Sequence, residues 1–229
     1  MKETSLYEGV RKYFEEQGFL VRAEVKDIDV CALKDELVIG VELKKYLTVD
    51  LLVQGALRQK LCDLVYIAVP KPKRVRKNRE FTNTLHLLRR LELGLLYVDV
   101  ERGEATLVLD PSFFNLDRAR QALVGRRKAL LKEIRGRSLS LNQGGSSRSK
   151  LMTAYREEAL KTVAVLREKS VVSPKDLKEF GVRPGILRDN YYGWFKKVAR
   201  GTYVLDEDKY DDMEAYGEYI HQFKSVLFS

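Results

Sequence analysis

The sequence predicts a mixed α/β domain followed by a smaller helical domain that ends in a β-hairpin. Short runs rich in Val, Ile and Leu alternate with helical patterns over residues 1–117. A Gly- and Ser-rich stretch over 136–150 indicates a linker, and helical spacing dominates after it. A chain of 229 residues has room for both domains.

The elements of the first domain follow the order α-β-β-β-α-β-α-β-β, which predicts a mixed sheet with helices packed on it. The first helix spans 4–17 and Gly18 stops it, because glycine readily leaves the helical conformation. Three strands and a helix with one apolar face come next. They are predicted at 19–25, 28–33, 37–44 and 50–62. The later elements are a strand at 64–69, a helix at 82–93 and strands at 95–100 and 105–109.

The rest of the chain predicts a basic amphipathic helix, a linker, a helical domain and a tail. The domain limits expected from these patterns are 1–117, 118–150, 151–205 and 206–229. The basic helix spans 118–135, the linker 136–150, and the acidic tail is expected to be solvated surface. Within 151–205 we predict helices at 155–168, from Ser173-Pro174 to Gly181, and at 186–195, then a hairpin at 198–205.

The positive charge of the chain is concentrated in one segment. The formal net charge is +9. Residues 1–117 hold 19 basic and 19 acidic side chains and 151–229 hold 13 of each, so the whole surplus lies in 118–150. A basic segment of this kind favours a polyanionic partner.

Several classes of protein are not expected from the composition. No apolar run approaches the roughly 18 residues of a membrane span, and the start of the chain has no apolar signal core. Cys31 and Cys62 lie in apolar segments, which fits a reducing cytoplasm and excludes a Cys-based zinc site. We therefore expect a cytoplasmic protein without a membrane partner. His86 and His221 are isolated and receive no role.

Three charged residues interrupt otherwise apolar strands. Asp29 lies between Ile28 and Val30, and Glu42 and Lys44 share a strand face. If the two strands pair as a hairpin, Asp29 and Glu42 converge, and a divalent cation would relieve their repulsion. A nearby Lys could then act on a water or stabilise charge on a phosphate. The alternative for this pattern is a strand edge with solvated charges.

Residues 4–70 resemble the PD-(D/E)XK nuclease superfamily, with its restriction-endonuclease-like αβββαβ core. The resemblance rests on Asp29 as the first acid, Glu42 as the second and Lys44 as the lysine. The sequence departs from the signature at Ile28, where Pro is usual. The whole chain is similar to a bacterial branch of the superfamily with a C-terminal winged-helix-like domain.

The resemblance implies roles for the site residues. Asp29 and Glu42 would bind Mg²⁺ or Mn²⁺ with the Leu43 carbonyl, and Lys44 would act on the attacking water. Glu8 resembles the acidic residue on the first helix of several branches. Gln54 resembles the first Gln of a Q-x-x-x-Q helix, in which Arg58 stands at the later position. The implied reaction is phosphodiester hydrolysis, in DNA rather than RNA.

Two regions are candidates for nucleic-acid contact. The first is the basic loop, defined here as residues 71–79, in which six of nine side chains are basic: Lys71, Lys73, Arg74, Arg76, Lys77 and Arg79. The second is the helix–helix–hairpin pattern after 153, which resembles a winged helix-turn-helix with its third helix as recognition helix. Candidate contacts there are Arg183, Arg188, Asn190, Tyr191 and Lys196, with Arg200 on the wing. Arg126, Arg127 and Lys128 of the basic helix are further candidates.

Three functions stay open at this point. The first is a metal-dependent DNA nuclease, and the second is a DNA-binding regulator on a nuclease-like scaffold. The third is a protein-interaction scaffold, which would show no salt-dependent binding of nucleic acid. The basic helix is also a candidate dimer seam, so a homodimer is possible in each case.

Overall fold

Six strands form one mixed sheet in the first part of the chain, in the spatial order in which they occur along it. The computed structural model describes residues 4–145 and 151–229, and its two units are Met1–Ala119 and Arg120–Ser229. The first elements are α1 (Thr4–Glu15), β1 (Leu20–Val25), β2 (Ile28–Lys34), β3 (Leu37–Leu43) and α2 (Val49–Arg58). They are followed by β4 (Leu64–Pro70), α3 (Arg79–Arg90), β5 (Gly94–Asp99) and β6 (Glu104–Leu109).

The sheet is parallel only at its centre. β3 pairs with β4 and β4 with β5 in parallel, whereas β1–β2, β2–β3 and β5–β6 are antiparallel. The mixed sheet with helices fits the nuclease-like core expected from the sequence. α3 begins at Arg79 rather than at residue 82, because the Asn78 side chain accepts a hydrogen bond from the backbone N–H of Phe81 and caps the helix there.

Two apolar layers hold the helices against the sheet. On one face α1 buries Leu6, Val10 and Phe14 against strand residues that include Val30 and Val41. The other face is covered by α2 and α3, whose Leu51 and Leu88 pack with residues such as Ile67. Glu42 is buried in this unit, so its carboxylate needs a polar partner inside the fold.

The second unit is built around one long helix. Its elements, after α4 (Leu116–Gln121), are α5 (Val124–Arg135), α6 (Ala154–Lys169), α7 (Pro174–Glu179) and α8 (Ile186–Asp189), then β7 (Phe195–Ala199) and β8 (Thr202–Leu205). A 3₁₀ turn at Glu207–Lys209, α9 (Tyr210–Glu214) and α10 (Gly217–Leu227) complete it. The core contains Leu160 and Val163 of α6 together with Trp194 and Phe223. None of the described helices is long and apolar enough to cross a membrane.

The predicted third helix at 186–195 is wrong beyond residue 189. Asn190 adopts a left-handed backbone with φ of 33° and ends α8 after four residues. Its side-chain amide donates to the Phe195 carbonyl at 2.7 Å and accepts from the Phe195 N–H at 3.2 Å. These two bonds close a loop that directs Trp194 and Phe195 into the core. Apolar spacing alone did not reveal this capping role of Asn190.

The tail also differs from its predicted state. The acidic residues lie on the 3₁₀ turn, α9 and the first turn of α10, but Met213, Ile220 and Phe223 of the same helices are buried in the core of the second unit. The alternation of acids with apolar residues thus marks an amphipathic segment rather than solvated surface.

The basic helix predicted over 118–135 is two helices, α4 and α5, because the chain turns at 122–123 beside Gly125. Part of the predicted linker is ordered. Leu139 and Leu141 pack on the second core, and Asn142 exchanges two hydrogen bonds with the Met152 backbone at 2.6 and 2.7 Å. Residues 146–150 of the linker lie outside the described part of the chain. The domain limits at 117, 150 and 205 stay predictions.

Candidate metal and nuclease site

The β2–β3 hairpin sets the two acids side by side. Val30 lies opposite Val41 in the antiparallel pair, so the next step of the register brings Asp29 across from Glu42. The Asp29 carboxylate accepts a hydrogen bond of 2.7 Å from the backbone N–H of Leu43, which fixes its position beside β3. The strands therefore bring together the two residues that the sequence selected.

Glu42 is 2% exposed and forms an ion pair with Arg58. The Arg58 Nε donates to Glu42 Oε1 at 2.6 Å, and its NH2 group donates to the carbonyl of Asp27 in the β1–β2 turn. Burial raises the pKa of Glu42, the hydrogen bond from Arg58 lowers it, and the Asp29 charge raises it again, with a net upward shift. The negative charge of Glu42 thus depends on a cation beside it.

Lys44 and Gln54 lie on the two elements that carry this pair, at the end of β3 and on α2. Lys44 follows the end of β3, its backbone N–H donates to the Ala68 carbonyl at 3.1 Å, and its positive charge acts to lower the pKa of Glu42. Gln54 lies one helical turn before Arg58 on α2, and its buried Oε1 has no hydrogen-bond partner among the described residues. Such a buried carbonyl oxygen is a potential acceptor for a bound water.

A cleft of about 320 Å³ opens on the Asp29 side. It is lined by Thr4, Tyr7, Ala23, Glu24, Asp29 and Leu43. Glu24 has a positive φ of 54° and lies between the paired residues Ala23–Val30 and Val25–Ile28, and it lines this cleft together with Asp29. Glu8, in contrast, is exposed on α1 and pairs with Arg11. The predicted role of Glu8 stays a prediction.

The oxygen donors present suit Mg²⁺ or Mn²⁺. No group of three or more His, Cys, Asp and Glu side chains that could hold a metal occurs in the described ranges, 4–145 and 151–229. Two carboxylates and a backbone carbonyl are nevertheless sufficient for Mg²⁺, which commonly keeps several waters and uses one or two carboxylates.

The predicted nucleic-acid contacts lie on exposed surface with one exception. All residues of the basic loop are exposed, as are Arg126, Arg127 and Lys128 of α5. In the second unit Arg188, Tyr191 and Arg200 are exposed, and Arg188 pairs with Asp189 at 3.3 Å. Asn190 is the exception, since its amide is engaged by Phe195.

Arg58 and Glu24 are the site residues that sequence reasoning underestimated. The sequence places Arg58 four residues after Gln54 on a helix and does not by itself indicate a buried partner for it. A buried acid followed by an Arg on the next helix is the signal that could have identified the pair. Nothing in the sequence around Glu24 indicates its left-handed backbone.

Comparison with known proteins gives one match. A family model described as "Putative PD-(D/E)XK phosphodiesterase (DUF2161)" matches residues 96–211, just over half of the chain. The match begins in β5 and ends in α9, so Asp29, Glu42 and Lys44 precede it. No curated protein and no solved structure is detectably similar to the chain.

Proposed function

The chain belongs to this PD-(D/E)XK phosphodiesterase family, and on that premise we propose that it hydrolyses phosphodiester bonds in DNA with a divalent metal ion. The observation that carries the proposal is the β2–β3 hairpin. It holds Asp29 beside Glu42, with Lys44 next along the chain, in the arrangement expected of the family motif.

Each residue of the hairpin has a distinct proposed task. Asp29, Glu42 and the Leu43 carbonyl would hold Mg²⁺ or Mn²⁺, which supplies charge stabilisation at the phosphate and lowers the pKa of bound water. Lys44 orients the attacking water and stabilises negative charge that develops on the phosphate. Arg58 keeps Glu42 ionised while the fold buries it.

DNA contact is proposed for three exposed basic surfaces. The basic loop follows β4, whose parallel neighbour β3 carries Glu42, so both strands end at the same edge of the sheet. The α6–α8 helices with the β7–β8 hairpin are proposed as a winged-helix module, with Arg188, Tyr191 and Arg200 contacting DNA. Arg126, Arg127 and Lys128 would neutralise phosphates.

A second candidate function is a non-catalytic DNA-binding regulator on a nuclease-like scaffold. The Glu42–Arg58 pair favours it, because a guanidinium already satisfies the acid that a metal would bind. The position of the family match, after residue 95, leaves the motif residues outside the part that supports membership. The two candidates predict different results for substitutions at Asp29 and Glu42. The nuclease loses cleavage, whereas the regulator changes only in stability.

The deciding experiment measures cleavage of labelled duplex and single-stranded DNA with Mg²⁺ or Mn²⁺. Glu42→Gln and Lys44→Met should each reduce the rate by about a hundredfold or more, because the first removes a proposed metal ligand and the second a charge that acts in the transition state. DNA binding in EDTA should be retained. Glu36→Gln and Lys45→Met, at exposed neighbouring positions, are the matched controls.

Metal binding provides an independent readout. Bound Mn²⁺, measured by electron paramagnetic resonance, should decrease in Glu42→Gln and stay unchanged in Glu36→Gln. Absence of cleavage on every DNA and RNA form tested, together with absence of Mn²⁺ binding by the unmodified chain, would refute the nuclease and favour the regulator.

A further inference from the structure

α2 has two apolar faces, although only one of them meets the sheet. Leu51 and Gly55 are buried on the inner face, against the layer that contains Leu93 and Ile67. The outer stripe, defined here as Val49, Val53 and Leu57 of α2 together with Leu61 in the turn after it, has an apolar side chain at every fourth residue. Its side chains are 74%, 51%, 50% and 67% exposed.

Tyr46 and Leu47 extend this apolar surface before the first turn of α2, and both are exposed. Scattered apolar side chains are normal on a protein surface, but a continuous stripe along one helix is typical of an interaction site. Aliphatic side chains do not stack on bases, and the stripe is flanked by an acid, so its chemistry fits protein better than nucleic acid.

The charges at the two ends of the stripe indicate which protein partner can bind it. Asp50 is exposed in the first turn of α2, and Lys60 is exposed just after its last turn. In an antiparallel pair of α2 helices related by a two-fold axis, the end with Asp50 lies beside the partner's end with Lys60, and both ion pairs form by symmetry. At a shallow crossing angle, the same register places Val53 opposite the partner's Leu57 at the centre of the contact.

We propose that the outer stripe of α2 binds the same stripe of a second copy of this chain, as an antiparallel two-fold dimer. The association does not depend on nuclease activity. If the proposed function holds, each dimer carries two Glu42–Lys44 sites, one for each strand of a duplex. Arg58 on the same helix holds Glu42, so α2 would join the interface to the site.

Sedimentation equilibrium of the full chain tests the pairing by mass. The unmodified protein should reach twice the 26.5 kDa of one chain. Asp50→Lys and Lys60→Asp should each be monomeric, because each places like charges at both ends of the stripe. Mixing the two variants should restore the dimer, since every contact then pairs Lys with Asp.

A second variant separates the interface from effects on folding. Leu57→Lys should also give monomers with an unchanged circular dichroism spectrum, whereas Leu87→Lys, at an exposed apolar position on α3, should stay dimeric. The proposal is overturned if the unmodified chain is monomeric at all concentrations. It is also overturned if the two charge variants remain dimers, or if their mixture fails to associate.

Discussion

At the scale of single residues, the buried Glu42 carboxylate depends on the cations around it. Arg58 satisfies one oxygen at 2.6 Å and also ties α2 to the β1–β2 turn through the Asp27 carbonyl. Removing one partner of a buried ion pair leaves an uncompensated charge inside the fold. The resulting loss of stability is much larger than the net stabilisation that the intact pair provides. A bound divalent cation could replace the lost charge.

Arg58→Ala should therefore destabilise the metal-free protein by about 3 kcal/mol. Added Mn²⁺ should recover more stability in Arg58→Ala than in the unmodified chain, because the ion takes the place of the guanidinium beside Glu42. Thermal unfolding followed by circular dichroism, with and without Mn²⁺, measures both effects.

The double variant Glu42→Gln/Arg58→Ala is the control for this prediction. It removes the charge that needs compensation, so it should be more stable than Arg58→Ala and should not respond to Mn²⁺. An equal Mn²⁺ response in Arg58→Ala and in the double variant would mean that Glu42 is not a metal ligand.

At the scale of elements, a buried carboxylate on α6 connects this helix by hydrogen bonds to the segment that follows α5. Glu157 on α6 is fully buried, and it accepts hydrogen bonds from the N–H of Ser138 at 2.7 Å and from the Ser138 hydroxyl. Lys161 lies 2.9 Å from the same oxygen. Burial acts to raise the pKa of Glu157, but the bonds from Ser138 and Lys161 outweigh it, and the net shift is downward.

Glu157→Gln should lower stability at neutral pH by about 1–3 kcal/mol, because it removes charge-assisted hydrogen bonds. Since the folded pKa is below the unfolded value of 4.5, the stabilisation by Glu157 is fully present above about pH 4.5 and is lost as pH falls through the folded pKa. The difference between variant and unmodified chain should accordingly shrink in acid.

Urea denaturation at pH 7 and at about pH 3.5 measures this difference. The chain has one Trp, and Trp194 is buried in the second core, so its fluorescence reports unfolding of that unit. Glu179→Gln, at an exposed position on α7, is the matched control. A destabilisation by Glu157→Gln that is equal at both pH values would contradict this account.

The elements also differ in how far the sequence could predict them. The β2–β3 hairpin was predictable because apolar runs bounded by charged turns specify strands, and Asp29 and Glu42 interrupt them at matching ends. Helix 186–195 was not, because Asn190 ends it through bonds to Phe195, five residues away. The ion pair of Arg58 was not predicted for a related reason, since its partner, Glu42, lies on another element.

At the scale of the whole molecule, the net positive charge is concentrated in one segment. Residues 1–117 and 151–229 are each neutral, so the +9 lies in 118–150, which includes α5. The described side chains of α5 are half-exposed or exposed, and three consecutive cations open its first turns. If this segment lies along DNA, its contribution is electrostatic and independent of sequence.

Neutralising Arg126, Arg127 and Lys128 together to Gln should weaken binding to every DNA sequence by a similar factor. Because each phosphate contact releases about 0.9 of a counterion, the slope of log affinity against log salt should become shallower by up to about 3. Fluorescence anisotropy in EDTA at several salt concentrations measures the slope without cleavage.

Lys12→Gln/Arg102→Gln, which removes two exposed cations paired with Glu16 and Asp99, should leave the slope nearly unchanged. The single-turnover cleavage rate at saturating protein should not change in the triple variant, because saturation offsets the weaker binding and Asp29, Glu42 and Lys44 are unaltered. An unchanged salt slope would exclude α5 from the DNA interface.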